Sequence, residues 1–307
     1  MSDVKEPRDI SHCKAVFDPP LTAAPLRLAV PIFMATSLLF FFSLYLGVPY
    51  LRRAGASWFT IFNLVLAVPM FILVLATFIA YRSEGRPLVW EAMRDRLRLQ
   101  RMDLAAWIWA AALSIFMYGG KFSVALAFGL AFVALTSEKH RGGKSILRTI
   151  TGVGVFLAVS WSLWQAKPWL AHLPLHSEPA ALRDFLAQFA TDTFMGIPLR
   201  GNWWVAPYYA VVLVLGNVAG EELWWRGYLL PRQELAHGAG TWLIHGILWA
   251  AFHLFFQTTL WDMVHMIPTC CALAFVAQHT RNTWPGVFGH TFGNSFLLLQ
   301  IIRGITD

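Results

Sequence analysis

The chain has 307 residues, of which 57% are hydrophobic and only 13% charged. A soluble domain carries about 25% charged residues, so composition excludes a water-soluble globule, together with disordered, collagen-like and disulfide-scaffold chains. The formal charge of +7, from 24 Lys and Arg against 17 Asp and Glu, speaks for membrane orientation and not for nucleic acid, because the basic residues flank apolar runs.

Residues 1–27 open with a mixed-charge stretch (Lys5, Glu6, Arg8, Asp9, Lys14, Asp18) that lacks the pattern of a cleaved signal and is expected to be a cytoplasmic tail. Leu28–Tyr50 and Trp58–Tyr81 follow without a single charge, each long enough to bridge a bilayer core that takes about 20 helical residues. Residues 82–103 then carry Arg82, Arg86, Arg94, Arg96, Arg98 and Arg101. Trp90, Met93 and Leu97 recur at helical spacing among them, which predicts an interfacial amphipathic helix within 88–102.

Leu104–Gly120 and Phe122–Ser137 are the next apolar runs, parted by Gly119-Gly120-Lys121. A second basic loop, 136–148, holds Lys139, Arg141, Lys144 and Arg148. Both basic loops belong in the cytoplasm only if 104–135 crosses twice, in two short halves of about 22 Å each. Thr149–Ala166 is apolar again, and the loop 166–203, with only Lys167, Arg183 and Arg200, suits the outside. Gly201–Gly220, Leu235–Trp261, Met263–Thr280 and Asn282–Ile302 complete the set before a short tail, 303–307, that is no lipidation motif.

The expected fold is therefore all-α: a polytopic transmembrane bundle of about eight spans, seven to nine. Residues 28–203 form its N-terminal helices with basic loops, and 204–302 its core. Tryptophans near span ends (Trp58, Trp107, Trp203, Trp204, Trp284) form an interfacial belt. Cys13, Cys270 and Cys271 have no metal or redox spacing, and neighbouring helical cysteines cannot pair. Gly142-Gly143-Lys144-Ser145 lacks the first glycine of a phosphate loop, and no Gly-x-Ser-x-Gly elbow occurs.

Against this apolar background Glu221, Glu222 and Arg226 stand out, since each charge at a span centre costs roughly 2.5–3.5 kcal/mol. Glu222 and Arg226 are i,i+4 with the acid first, the favourable order for a pair. Glu221 points about 100° away and is free to act as a proton-transfer group. The bland reading of the segment is an interhelical salt bridge without chemistry. Gly216 and Gly220, and later Gly289 and Gly293, form small-xxx-small pairs that let helices approach closely. Two further constellations follow: Trp249 and His253 at i,i+4, and His290 and Asn294 at i,i+4. Imidazole with carboxylate activates water, and His with Asn donates to an oxyanion. His237, His245, His265 and His279 read as interfacial or satisfied core histidines, with His265 the one nearest to a site role.

Glu221-Glu222-x-x-x-Arg226, then aromatic-x-x-x-His253, then His290-x-x-x-Asn294, in this order on successive helices, resembles the CPBP family of CAAX proteases and bacteriocin-processing enzymes, also called Abi-like. The family includes the type II CAAX prenyl endopeptidases. The likeness covers about 205–302, and Trp249 departs from the family's usual Phe. The resemblance implies an intramembrane endopeptidase with its site in a cavity toward the cytoplasm. Glu221 would then be the base, His253 its partner on water, and His290 and Asn294 the oxyanion site; Glu222, Arg226 and Trp249 would support them. The implied substrate is a membrane-associated protein or peptide. The implied setting is the bilayer of a bacterial inner membrane, with no nucleic acid. No cofactor is required, although Glu221, His253 and His290 have the donor types for Zn²⁺. The competing readings are a nonproteolytic scaffold or self-immunity factor of the same fold, and a proton-coupled transporter.

Overall fold

The computed structural model describes residues 19–118, 165–189 and 192–307, apart from the side chains of Tyr118 and His265. The expectations for the first 18 residues, for Gly119-Gly120-Lys121, for Phe122–Ser137, for the loop 136–148 and for most of Thr149–Ala166 lie outside the described residues. What is described is dominated by helix.

Helix α1, Leu26–Arg53, and helix α2, Trp58–Ser83, are long and apolar enough to cross a membrane, as is α8, Leu260–Thr280. Ser57 starts α2 by accepting a hydrogen bond from the Thr60 amide. The basic loop then yields only a short α3, Trp90–Arg96. Beyond it Arg98 adopts a left-handed conformation (φ 55°), and the chain folds back onto the protein. Leu97 and Leu99 are buried against Tyr228 and Trp284, and Arg96 pairs with Glu84 at 2.6 Å. Arg98 grips both oxygens of Glu234 at 2.7 Å. Within 88–102 the loop is thus a protein-docked strut as well as a surface segment. The apolar stripe read from Trp90, Met93 and Leu97 is split, with Trp90 half-exposed and Leu97 in the core.

Helix α4, Leu104–Tyr118, is apolar and shorter. After α5, Ala180–Leu186, the chain makes a small antiparallel ribbon of β1, Thr193–Phe194, and β2, Ile197–Pro198. This ribbon is a small exception within the mostly helical fold expected from the sequence. Gly196, at φ 77°, makes the turn that two extended residues on either side can pair across.

Helix α6 runs without a break over 205–237, with π-helical turns at Val212–Val218 and Glu222–Leu229 on either side of Glu221. The run Leu235–Trp261, read from composition as one span, is cut at both ends. Gly238 ends α6 with φ 64°, and α7 covers only Thr241–Phe252. A 3₁₀ turn, His253–Phe255, and an extended stretch follow. The next helix, α8, begins at a capping box in which Thr259 and Asp262 satisfy each other's backbone N–H. Hydropathy alone could not see this break, since capping chemistry costs only two polar residues. Helix α9, Trp284–Thr306, closes the chain.

The helices have two clear ends. At one, Ala24 hydrogen-bonds to Arg232, Asn282 to Gln100 and Thr283 to Arg98, so the basic loop meets the C-terminal end of α6 and the α8–α9 junction. At the other end of α8, Leu260 and Thr258 pair with Leu173 and Leu175, and Gly201 pairs with Ile305 at the end of α9. The helices pack closely where side chains are small. A methyl added at Gly220 would lie 2.7 Å from the Met70 carbonyl of α2. One at Gly289 or Gly293 would press on Leu113 or Met117 of α4, and one at Gly246 on the Cys271 backbone of α8.

Candidate active site

Glu221 lies near the middle of α6, between its two π turns, a kind of irregularity that often marks functional sites. Its carboxylate is buried and held at both oxygens. Oε1 accepts from the Asn217 amide at 2.7 Å, and Oε2 accepts from the Trp249 indole N–H at 2.8 Å. The His253 Nε2 stands 3.7 Å from the same Oε2. Because the Trp249 carbonyl can only accept, His253 donates to it from Nδ1, at 2.8 Å. In the neutral ring this leaves the Nε2 lone pair facing Glu221. The position of His253 follows from the end of α7: it is the residue at which that helix stops.

Glu222, one residue on, faces the protein interior. Its Oε1 accepts from His290 Nδ1 at 2.8 Å and lies 3.2 Å from Arg226 Nη1. Glu222 and Arg226 are wholly buried, a geometry in which removing either partner would strand a charge. The Arg226 guanidinium lies face-on to the Trp249 ring, 3.4 Å from its centre, a cation–π contact. Trp249 therefore touches both acids' environments: its edge donates to Glu221 and its face carries the partner of Glu222. A glycine opposite makes room, since a methyl at Gly286 would fall 2.5 Å from Glu222 Oε2.

Asn294, one turn after His290 on α9, donates to the Asn217 side-chain oxygen at 2.8 Å. Asn217 thus bridges Glu221 and Asn294. It was not among the residues singled out from sequence, although a signal existed: it is a polar residue one helical turn before Glu221 in an otherwise apolar run. All seven residues expected at the site are brought together with it. Glu221, Trp249, His253, His290 and Asn294 line one cavity of about 560 Å³ together with Asn217, while Glu222 and Arg226 sit behind its wall. The rest of the lining is apolar, including Phe62, Met70, Met117, Tyr209 and Phe256.

His245 and His279 lie elsewhere. His245 is buried and paired with Gln233 at 2.5 Å, and His279 stacks on Phe275. The side chain of His265 and all of Lys121 lie outside the described residues. Cys270 and Cys271 are buried free thiols. No group of three or more His, Cys, Asp or Glu among the described residues is arranged to hold a metal ion. Of the residues with donor types for zinc, Glu221 and His253 stand 3.7 Å apart, and His290 donates from Nδ1 to Glu222, a contact that metal-bound histidines also make.

No curated protein and no solved structure matches the chain. Residues 202–296 match the family model described as type II CAAX prenyl endopeptidase Rce1-like, a segment that contains every residue of the cluster just described. Over 202–296 the chain is thus similar to the Rce1-like type II CAAX prenyl endopeptidases, the family its three motifs resemble.

Proposed function

We propose that the protein is an intramembrane endopeptidase that hydrolyses a peptide bond of a membrane-associated substrate with activated water. The observation that carries the reading is the pair of acceptors at the cavity wall, Glu221 Oε2 and the His253 Nε2 lone pair, 3.7 Å apart. A water donating to both is polarised toward hydroxide and aimed into the cavity. It attacks the scissile carbonyl, its proton passes to Glu221, and the C–N bond then breaks as that proton moves to the leaving amine. No covalent enzyme intermediate is formed.

The developing oxyanion needs donors on the opposite side. Asn294 uses one N–H on Asn217 and has a second for the oxyanion. His290 donates from Nδ1 to Glu222, so donation from Nε2 requires the doubly protonated ring; Glu222 and the oxyanion together then balance the charges of His290 and Arg226. Two such donors act more strongly in a site shielded from water than they would in solution. Helix α7, with 12 residues, spans about 18 Å against a core of about 30 Å, a length that suits a His253 placed at membrane depth. The reading includes a multi-pass bundle of about eight spans, in the inner membrane of a bacterial cell.

The test is comparative proteomics of membranes from cells that express the wild-type chain or Glu221→Gln. One precursor accumulates with the variant and is cut by purified wild-type protein. A Glu221→Gln protein that cuts that precursor at the wild-type rate would refute the reading.

A further inference from the structure

We infer that Arg96, in the basic loop, is a positioning residue for the candidate site: it holds the turn of α6 that carries Glu222 and Arg226 in register with the start of α9, which carries His290. The inference rests on the endopeptidase reading for its effect on rate, and on the contacts of the loop for its geometry.

The sequence leaves one backbone acceptor of α6 in need of a donor. Leu230 closes the π turn Glu222–Leu229 by donating its N–H to the Trp225 carbonyl. The next residue, Pro231, has no N–H to give. It stands four residues after Gly227, so the Gly227 carbonyl lacks its ordinary helical donor. Gly227 also lets another segment come close, since a methyl there would lie 3.1 Å from the Leu97 carbonyl.

Arg96 supplies the donor from outside the helix. Its Nη1 donates to the Gly227 carbonyl at 3.2 Å and its Nη2 to the Tyr228 carbonyl at 3.3 Å. Nε and Nη2 also donate to the two oxygens of Glu84, just past the end of α2, at 2.7 and 2.6 Å. The guanidinium lies 4.7 Å from the centre of the Tyr228 ring, and the residue is buried. An anchor for the loop alone needs only Glu84. The bonds to the α6 backbone use the planar fork of arginine, which a lysine cannot copy.

The same strut reaches α9. The Leu97 carbonyl accepts from the Thr283 hydroxyl at 2.8 Å, and the Arg98 carbonyl accepts from the Thr283 N–H at 2.8 Å. Thr283 is buried and directly precedes α9. His290 follows about two turns later, and its Nδ1 meets Glu222 at 2.8 Å. Residues 96–98 therefore hold α6 on one side and α9 on the other, and fix how far one slides against the other. On α6 the effect passes from Gly227 to its neighbour Arg226, then to the Trp249 ring on which Arg226 lies, and so to the indole N–H that aims Glu221.

The test compares the full-length wild-type protein with Arg96→Gln and Arg96→Lys in one detergent. Hydrogen exchange read by mass spectrometry reports the turn itself. With Arg96→Gln the amides of 222–229 exchange about tenfold faster, while those of α1 keep their wild-type rates. Cleavage of the accumulating precursor shows kcat lowered by about tenfold to a hundredfold, with KM little changed. Arg96→Lys, which keeps a charge and a donor, recovers part of both losses. Where Arg96→Gln fails to accumulate, Thr283→Val removes the hydroxyl bond to Leu97 from the α9 side and lowers kcat about twofold to tenfold; an unchanged kcat there overturns the inference. Equal acceleration of exchange in α1 and in 222–229 assigns Arg96 to overall stability and overturns it too, as does a wild-type kcat in folded Arg96→Gln protein. Local loosening of 222–229 in a chain whose wild type cleaves no peptide leaves Arg96 as the holder of this turn and overturns only the endopeptidase reading.

Discussion

Trp249→Phe isolates one hydrogen bond in the proposed mechanism. Phenylalanine keeps an aromatic face beneath Arg226, 3.4 Å from the Trp249 ring centre at present, but removes the N–H that donates to Glu221 Oε2 at 2.8 Å. A hydrogen bond to a charged group is worth about 1.5–3 kcal/mol, and each 1.4 kcal/mol is a factor of about ten in rate. If the bond serves to aim Glu221, kcat falls by about tenfold to a hundredfold while KM changes little. The weaker cation–π face of Phe costs about 0.5–1 kcal/mol more, and falls on stability. The assay is the initial rate of precursor cleavage by purified protein over a range of substrate concentrations, with a thermal melt in the same detergent to show that the fold persists. A fully active Trp249→Phe enzyme would refute the positioning argument, and would mean that Asn217 suffices to hold the carboxylate.

Three further outcomes follow from the same geometry. Asn217→Ala cuts the link between Glu221 and Asn294, so its effect on kcat and that of Asn294→Ala should be strongly non-additive in a double-mutant cycle, by about 0.5–3 kcal/mol; additive losses would show that the two asparagines act separately. Gly286→Ala drives a methyl to within 2.5 Å of Glu222 Oε2, an overpacking expected to cost about 1–3 kcal/mol, read as a lowered melting temperature together with lost activity. Chelation with 1,10-phenanthroline should leave cleavage unchanged, because in the proposed scheme the water is activated by Glu221 and His253 alone; inhibition reversed by added Zn²⁺ would overturn that scheme.

Trp249 also shows how far a motif reads. From sequence it was an aromatic in a slot the family usually fills with Phe, and its expected role was support. That expectation concerned packing, whereas the indole N–H matters only because α7 places its edge against α6. His253 makes the same point in another way. Its identity was legible, but its tautomer depends on a carbonyl one turn back that is free to accept only because α7 ends there.

The sequence by itself determined that this chain lives in a membrane, because 13% charge cannot cover a soluble surface. It also determined which residues are candidates for chemistry, because an ionisable group inside an apolar run is costly enough to need a reason. Those are one-dimensional properties, fixed by composition and by i,i+4 spacing along single helices. Only the tertiary structure decided what joins the helices. It made Asn217 a bridge between Glu221 and Asn294, turned Trp249 into a donor, and docked the arginine-rich loop against α6. Contacts between residues far apart in the chain depend on where helices stop and which faces meet, and a cap at Thr259 or a glycine at 286 settles that with almost no trace in hydropathy.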